Sequence, residues 1–278
     1  MHLYHMGKVW LHRYSVLVAC CTLILVIAGG LVTSNDAALS VPDWPLAWGR
    51  LIPPLEGGIV YEFGHRVAAA SVAILTFILA CWLQAAEPRA WVRRLGWTAV
   101  VVVLAQALLG GVVVLWVAPK PLSIAHACLG QIDFGLMALV AQASRPAQPS
   151  GTGQSRRRAP LIAAGALFVQ TILGAAVRHN ATGLLPHVLG AGIAIILVMW
   201  AGLPILMTEP EDSSQRRPAV ALLSLTFSQV VLGMGAYLSR IMTADAPQPM
   251  PVMVWLTVAH VAVGSLALGA AVQMGAAA

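Results

Sequence analysis

Eight apolar stretches, each close to the length that crosses a bilayer, follow one another along this chain of 278 residues. They lie near 14–33, 66–86, 95–117, 124–143, 160–178, 184–207, 218–240 and 252–275. A bilayer core needs about 20 residues of helix to span it. Backbone groups inside lipid must be satisfied within the spanning segment, which predicts α-helices. The period-two alternation of a membrane barrel is not present. Composition excludes the soluble alternative, because 59% of residues are hydrophobic and 9% charged, against about 25% charged in a soluble domain. The first stretch follows Lys8 and Arg13, as a secretory signal would. Its apolar run is too long and no small-x-small site follows, so it reads as a retained helix. The expected fold is an all-α integral membrane protein.

Orientation follows from the Lys/Arg bias. An even helix count puts both termini on one side, together with Lys8, Arg13, Arg89, Arg93, Arg94, Arg145, Arg156, Arg157, Arg158, Arg216 and Arg217. The opposite side holds Arg50, Arg66, Lys120, Arg178 and Arg240. This split predicts cytoplasmic termini. The formal net charge of +6 then calls for anionic lipid head groups and no nucleic acid. Cys20, Cys21, Cys81 and Cys128 fall inside predicted helices without CxxC spacing, which reads as small buried apolar residues.

The most polar run, 144–160, is rich in Ser, Gly, Pro and Arg and reads as a linker. It separates an N-terminal half (1–144) from a C-terminal half (160–278), with 145–159 between them. The halves look like pseudo-symmetric four-helix bundles, because a helical hairpin repeats four times. Gln106-x-x-Leu109-Gly110, Gln170-x-x-Leu173-Gly174 and Gln229-x-x-Leu232-Gly233 recur in the third, fifth and seventh segments, and the first keeps Gly29 and Gly30. Each of these segments leads to one that carries His65, His126, His187 or His260, at nearly regular intervals. Three of those histidines have a glycine one turn later: Gly130, Gly190 and Gly264. Glycines on membrane helices let backbones approach, leave room for a flat ring and permit self-association.

Four histidines in one recurring context, at one membrane depth, point to ligation, and imidazole is a common axial ligand of haem iron. Zinc fits less well, since no thiolate or second histidine accompanies any of them at short spacing. Two facing helices of a four-helix bundle supply a haem with one ligand each. His2, His5 and His12 precede the first apolar stretch and are expected to be solvated; His179 is expected at the membrane interface.

The first outer loop carries Thr33-Ser34 and Pro42-Asp43-Trp44-Pro45, and Tyr61-Glu62-Phe63-Gly64-His65-Arg66 opens the second segment. These motifs resemble those of the haem A synthase family, membrane enzymes that convert haem O to haem A. The eight segments, the duplicated halves and the four histidines extend the resemblance to nearly the whole chain. It implies a bacterial plasma-membrane protein whose N-terminal half holds the substrate haem O between His65 and His126. Its C-terminal half would hold a haem b on His187 and His260. Glu62 would be the essential acid beside the reacting methyl group, which is oxidised through hydroxylated intermediates to the formyl of haem A. Haem O synthase, cytochrome oxidase assembly and an unnamed electron donor are the implied partners.

Glu62 lies three residues before His65, on the same face if that turn is helical. A carboxylate there holds or moves a proton, or stabilises a developing cation; an interfacial glutamate in water is the plainer alternative. The matching position in the second half is Leu184. Arg66 either pairs with a haem propionate or snorkels to the interface. Trp44 and Trp48 cover a haem edge or anchor the chain at the interface. Asp133 lies two turns beyond His126 on one face, an ionisable group inside a span. One departure stands out: many members of the family carry a cysteine pair flanking Pro-Asp-Trp-Pro, where this chain has Val41 and Ala47. A dihaem b-type electron-transfer cytochrome and a haem carrier share the four histidines; the acid in one half alone favours the enzyme.

Overall fold

The computed structural model describes residues 2–145, 158–211, 213 and 215–277. Most of the linker expected at 145–159 lies outside these residues. Eight α-helices follow in order: α1 His2–Ser34, α2 Gly58–Ala86, α3 Ala90–Leu115, α4 Lys120–Ala143, α5 Arg158–Arg178, α6 Leu185–Thr208, α7 Arg216–Met242 and α8 Pro251–Ala277. All eight contain a span long and apolar enough to cross a membrane, so the protein is a multi-pass membrane protein. Among the described residues the one bridge of strand type is isolated, between Ala47 and Arg50.

Several helices begin well before the apolar stretches that announce them. Apolar content marks the part of a helix that meets lipid, whereas a polar turn at the head-group level stays helical. The shift matters most in α2, which starts at Gly58, so Glu62 and His65 both stand inside the helix. Proline falls in the first turn of α4 and α6, where its missing N–H costs nothing.

Two rings of four helices result. In the first, α1 and α3 each touch α2 and α4; in the second, α5 and α7 each touch α6 and α8. Among the described residues α2 and α4 share no contact, and neither do α6 and α8, so these helices stand diagonally across their rings. The rings meet through α4 with α8, α4 with α5, and α1 with α8. Small residues allow the approach: a Cβ on Gly269 of α8 would lie 3.0 Å from the Phe134 ring of α4, and one on Gly30 of α1 would lie 3.7 Å from Val258 of α8. Lipid tails are as apolar as leucine, so this close packing, rather than escape from water, holds the helices together.

Each ring has a dry core near the end that carries the termini. Leu11, Val18, Leu79, Leu83, Val92, Met137 and Val140 fill the first, and Val198, Leu222, Ala267, Ala271 and Met274 are among those filling the second. Polar clamps close the same end. Arg89 grips the Glu87 carboxylate at 2.6 and 2.9 Å and donates to the Ala143 carbonyl at 2.6 Å. The arginine holds the Glu87 carboxyl below its usual range. His12, expected to be solvated, instead turns Nδ1 to the Ala141 carbonyl at 3.0 Å. It does so because α1 extends past the apolar run and brings this residue beside the end of α4.

Candidate functional site: two histidine pairs under an outer cap

The four hairpins build the same local arrangement. In each, a glycine of the odd-numbered helix lies under the histidine ring of the next. A Cβ on Gly29 would stand 3.1 Å from Cε1 of His65; on Gly110, Gly174 and Gly233 it would stand 3.0 Å from Cε1 of His126, His187 and His260. The glutamines one turn earlier fix the histidine backbone. Gln106 Nε2 donates to the His126 carbonyl at 2.9 Å, and Gln170 Nε2 does the same for His187 at 2.9 Å. The second glycine of each motif makes room for that amide: Gly130, Gly190 and Gly264 each face the Gln106, Gln170 or Gln229 side chain. In the first hairpin Leu25 and Ala69 occupy the two matching positions, so both departures from the repeat occur together.

The rings then meet in pairs across the diagonals. His65 and His126 have centroids 6.4 Å apart with planes at 85°. His187 and His260 are 6.2 Å apart with planes at 75°. Two imidazoles that each reach one metal over a bond of about 2.0–2.1 Å, with the ring's own depth added, stand roughly 6 Å apart between centroids. Among the described residues no three His, Cys, Asp or Glu side chains gather as a metal cage would require. The fold supplies pairs.

One nitrogen of each ring is turned toward protein. His260 Nδ1 donates to the Gln229 carbonyl at 3.1 Å. The equivalent carbonyls of Leu25 and Gln106 face His65 and His126, whose buried Nδ1 atoms stop short of a full hydrogen bond. In His187 the Gln170 amide reaches Nδ1 at 3.0 Å. A carbonyl partner on Nδ1, as in His260, fixes the ring and leaves Nε2 as the ligand atom; the amide at His187 has the opposite polarity. The donor set, its spacing and its orientation fit an iron porphyrin held by two histidines.

Above the first pair sits a cap formed by loop residues 35–57. Glu62, 4% exposed, accepts from the Val41 N–H at 2.8 Å and from Arg66 Nη2 at 2.7 Å. Arg66 also donates to the carbonyls of Val41, Asp43 and Leu46 at 3.0, 2.8 and 3.0 Å. Its guanidinium is therefore committed to the loop, which neither reading from the sequence included. Asp43 accepts the backbone N–H groups of Trp48 and Gly49 at 2.6 and 2.7 Å. These bonds, Gly49 foremost, hold its carboxyl below its usual range. Trp44 lies on Gly111 of α3, where a Cβ would come within 2.6 Å of the indole. Trp48 is more than half exposed, and its indole N–H donates to the Ser40 carbonyl at 3.1 Å. Val41 and Ala47 are both buried in the cap, and all four cysteines are free and outside it.

Asp133 is 2% exposed and its Oδ1 has no hydrogen-bond partner. It shares the inward face of α4 with His126 and Met137, two turns below the ring. The matching residue of the second half is Ala267. At these matched positions the first half carries two buried acids, Glu62 and Asp133, where the second carries Leu184 and Ala267.

Arg178 entered the sequence reading only as a charge that sets orientation. It ends α5 one turn past Gly174, and its Nη2 donates to Ser34 Oγ at 2.6 Å and to the Gly30 carbonyl at 3.3 Å. It ties the second ring to α1, close to Gly29 and His65. A cation four residues after the repeat glycine, where the other hairpins have Thr33, Val114 and Tyr237, was the available signal. His179 follows outside the helix, half-buried, and joins neither pair; burial, and then Arg178, lower its pKa.

Residues 59–188 match a family described as cytochrome oxidase assembly protein. The matched stretch contains Glu62, His65, Arg66, His126 and His187. Among curated proteins, the heme A synthase of Symbiobacterium thermophilum is 29% identical over 251 residues, covering 76% of this chain and 80% of the relative. The heme A synthase of Bacillus pumilus is 29% identical over 137 residues, covering 48% of this chain and 45% of the relative. That of Geobacillus kaustophilus is 32% identical over 134 residues, covering 47% and 41%. The chain thus spans about half the length, or slightly less, of the latter two relatives.

Proposed function

We propose that this chain is a haem A synthase, a membrane oxidoreductase, a reading supported by the match of residues 59–188 to the cytochrome oxidase assembly family. It oxidises a methyl group of haem O to the formyl group of haem A, for use in cytochrome oxidase. The reading rests above all on one observation: the same paired-histidine site is built twice, and only the first copy has buried acids. Identical copies would suit a chain that only passes electrons. A difference in acid content suits one copy that performs chemistry and one that serves it.

In this reading His65 and His126 of the N-terminal half bind the substrate haem O, and His187 and His260 of the C-terminal half hold haem b. When bound, haem b supplies reversible one-electron chemistry. Oxidation of the methyl carbon to a formyl takes up one oxygen atom, from dioxygen or water, and releases protons and electrons, and Glu62 is the buried base on the helix of His65. Its carboxylate is kept ready by two donors, the Val41 N–H and Arg66, and accepts a proton as a general base does. Arg66 holds the cap shut over the first pair, which keeps bulk solvent from the site. The Lys/Arg bias supports cytoplasmic termini in a bacterium, an orientation in which the cap faces outward. A haem O synthase supplies the substrate, and the oxidase assembly pathway takes the product.

The test is to extract haems from the protein expressed alone and beside a haem O synthase, then separate and weigh them. Haem A, or its hydroxymethyl precursor, is expected only when haem O is supplied. Haem b alone under both conditions, with folded protein and oxygen present, overturns the assignment in favour of a dihaem electron carrier. Replacement of His187 or His260 by Ala is expected to remove the haem b spectrum.

A further inference from the structure

We propose that Gly29, Gly110, Gly174 and Gly233 are positioning residues that seat the four histidine rings and hold the two rings of each pair crossed. The inference rests on the reading of the pairs as haem ligands.

Three observations carry it. The first is the uniformity of the contact: a Cβ at the four glycines would lie 3.0–3.1 Å from Cε1 of the facing ring. That is closer than side chains ordinarily tolerate, so the ring rests on bare backbone. The second is orientation. In every hairpin Nδ1 lies nearer the seat than Nε2, at 3.3–3.6 Å against 3.7–3.9 Å. The ring edge, rather than its face, meets the helix, and Nδ1 points to the carbonyl four residues before the glycine, at Leu25, Gln106, Gln170 or Gln229. The third is the consequence for the pair. Each ring is keyed to its own odd-numbered helix, and the planes cross at 85° and 75°. Free imidazoles on one metal have no such fixed angle. The neighbouring glycines have other tasks, Gly30 against α8 and Gly111 under Trp44, so the seat is one residue wide.

An alanine at a seat forces its ring outward or round, because the obstacle is a ring held at its own backbone and not the loose end of a flexible chain. The second pair is the better place to test this, since its proposed haem is resident. Gly174→Ala and Gly233→Ala, singly, would be compared with Gly192→Ala, where a Cβ meets nothing within 4 Å. Haem content per protein and the electron paramagnetic resonance of the oxidised low-spin haem would be measured. The position of that resonance follows the angle between the two ligand planes. The seat variants are expected to move the resonance away from that of the wild type, or to lose at least half of the haem while the protein stays folded by circular dichroism. Gly192→Ala is expected to do neither. Wild-type haem content and an unmoved resonance in both seat variants overturn the proposal. Wild-type protein that carries no haem after expression in haem-replete cells, or His187→Ala that keeps its low-spin signal, overturns the ligand reading instead. A seat variant that fails to fold is replaced by Gly174→Ser or Gly233→Ser, judged by the same two measurements.

Discussion

At the scale of single residues, Glu62 carries one observed job and one proposed job, and its position in the sequence merges them. It faces the first histidine site from one turn away, and it anchors the cap through Val41 and Arg66. These jobs separate by substitution. Glu62→Gln keeps an oxygen for the Val41 N–H and loses the charge; Glu62→Ala loses both. Removing one partner of a buried ion pair costs about 3–5 kcal/mol, and the retained carbonyl partners of Arg66 place Glu62→Ala at the lower end of that range. Thermal melts should therefore show Glu62→Ala clearly destabilised and Glu62→Gln much less so, while haem A formation falls at least tenfold in both. Full product yield from Glu62→Gln would leave Glu62 as a cap anchor only. The histidines and Glu62 were legible in the sequence because they recur, or fail to recur, at matched positions. The hold of Arg66 on the loop and of His12 on α4 was not, because those bonds go to backbone carbonyls, and no side-chain pattern announces where a carbonyl will point.

At the scale of elements, the eight helices were legible because lipid leaves the backbone no other way to satisfy itself. Their starts were not, since the polar turns at the head-group level leave no apolar signal. The outer cap was visible only as a motif. Its construction, with Asp43 bridging the N–H groups of Trp48 and Gly49 and Trp44 pressed onto Gly111, depends on a folded loop. The Trp44–Gly111 contact makes a local prediction. Gly111→Ala places a methyl within the space of the indole, and overpacking of this kind costs about 1–3 kcal/mol. The cap is expected to lift from α3, seen as faster proteolysis within loop 35–57 and a red-shifted tryptophan emission, with the second histidine pair undisturbed. Emission and cleavage equal to the wild type would show that Trp44 does not fasten the cap.

At the scale of the whole molecule, duplication predicted two similar rings but not how they meet. That choice depends on a few small residues, Gly30 and Gly269 among them, and on two cations, of which Lys120 donates to the Asn180 carbonyl at 2.8 Å. Arg178 crosses from the second ring to Ser34 and Gly30 of the first. Hydrogen bonds to a charged group contribute about 1.5–3 kcal/mol. Arg178→Ala should therefore lower the melting temperature in detergent by a few degrees while both haem sites still fill. Unchanged melting would mean that α4 and α8 alone hold the rings together.

Both histidine pairs lie toward the capped end of their rings, above dry cores of leucine, valine, alanine and methionine. An electron handed from one pair to the other therefore travels along the plane of the membrane rather than through it. Moving a charge across the bilayer costs or yields about 2.3 kcal/mol per 100 mV; moving it sideways does neither. On the proposed reading, exchange between the two halves is electrically silent, and its direction is set by the redox potentials of the two sites, whether or not the cell is energised.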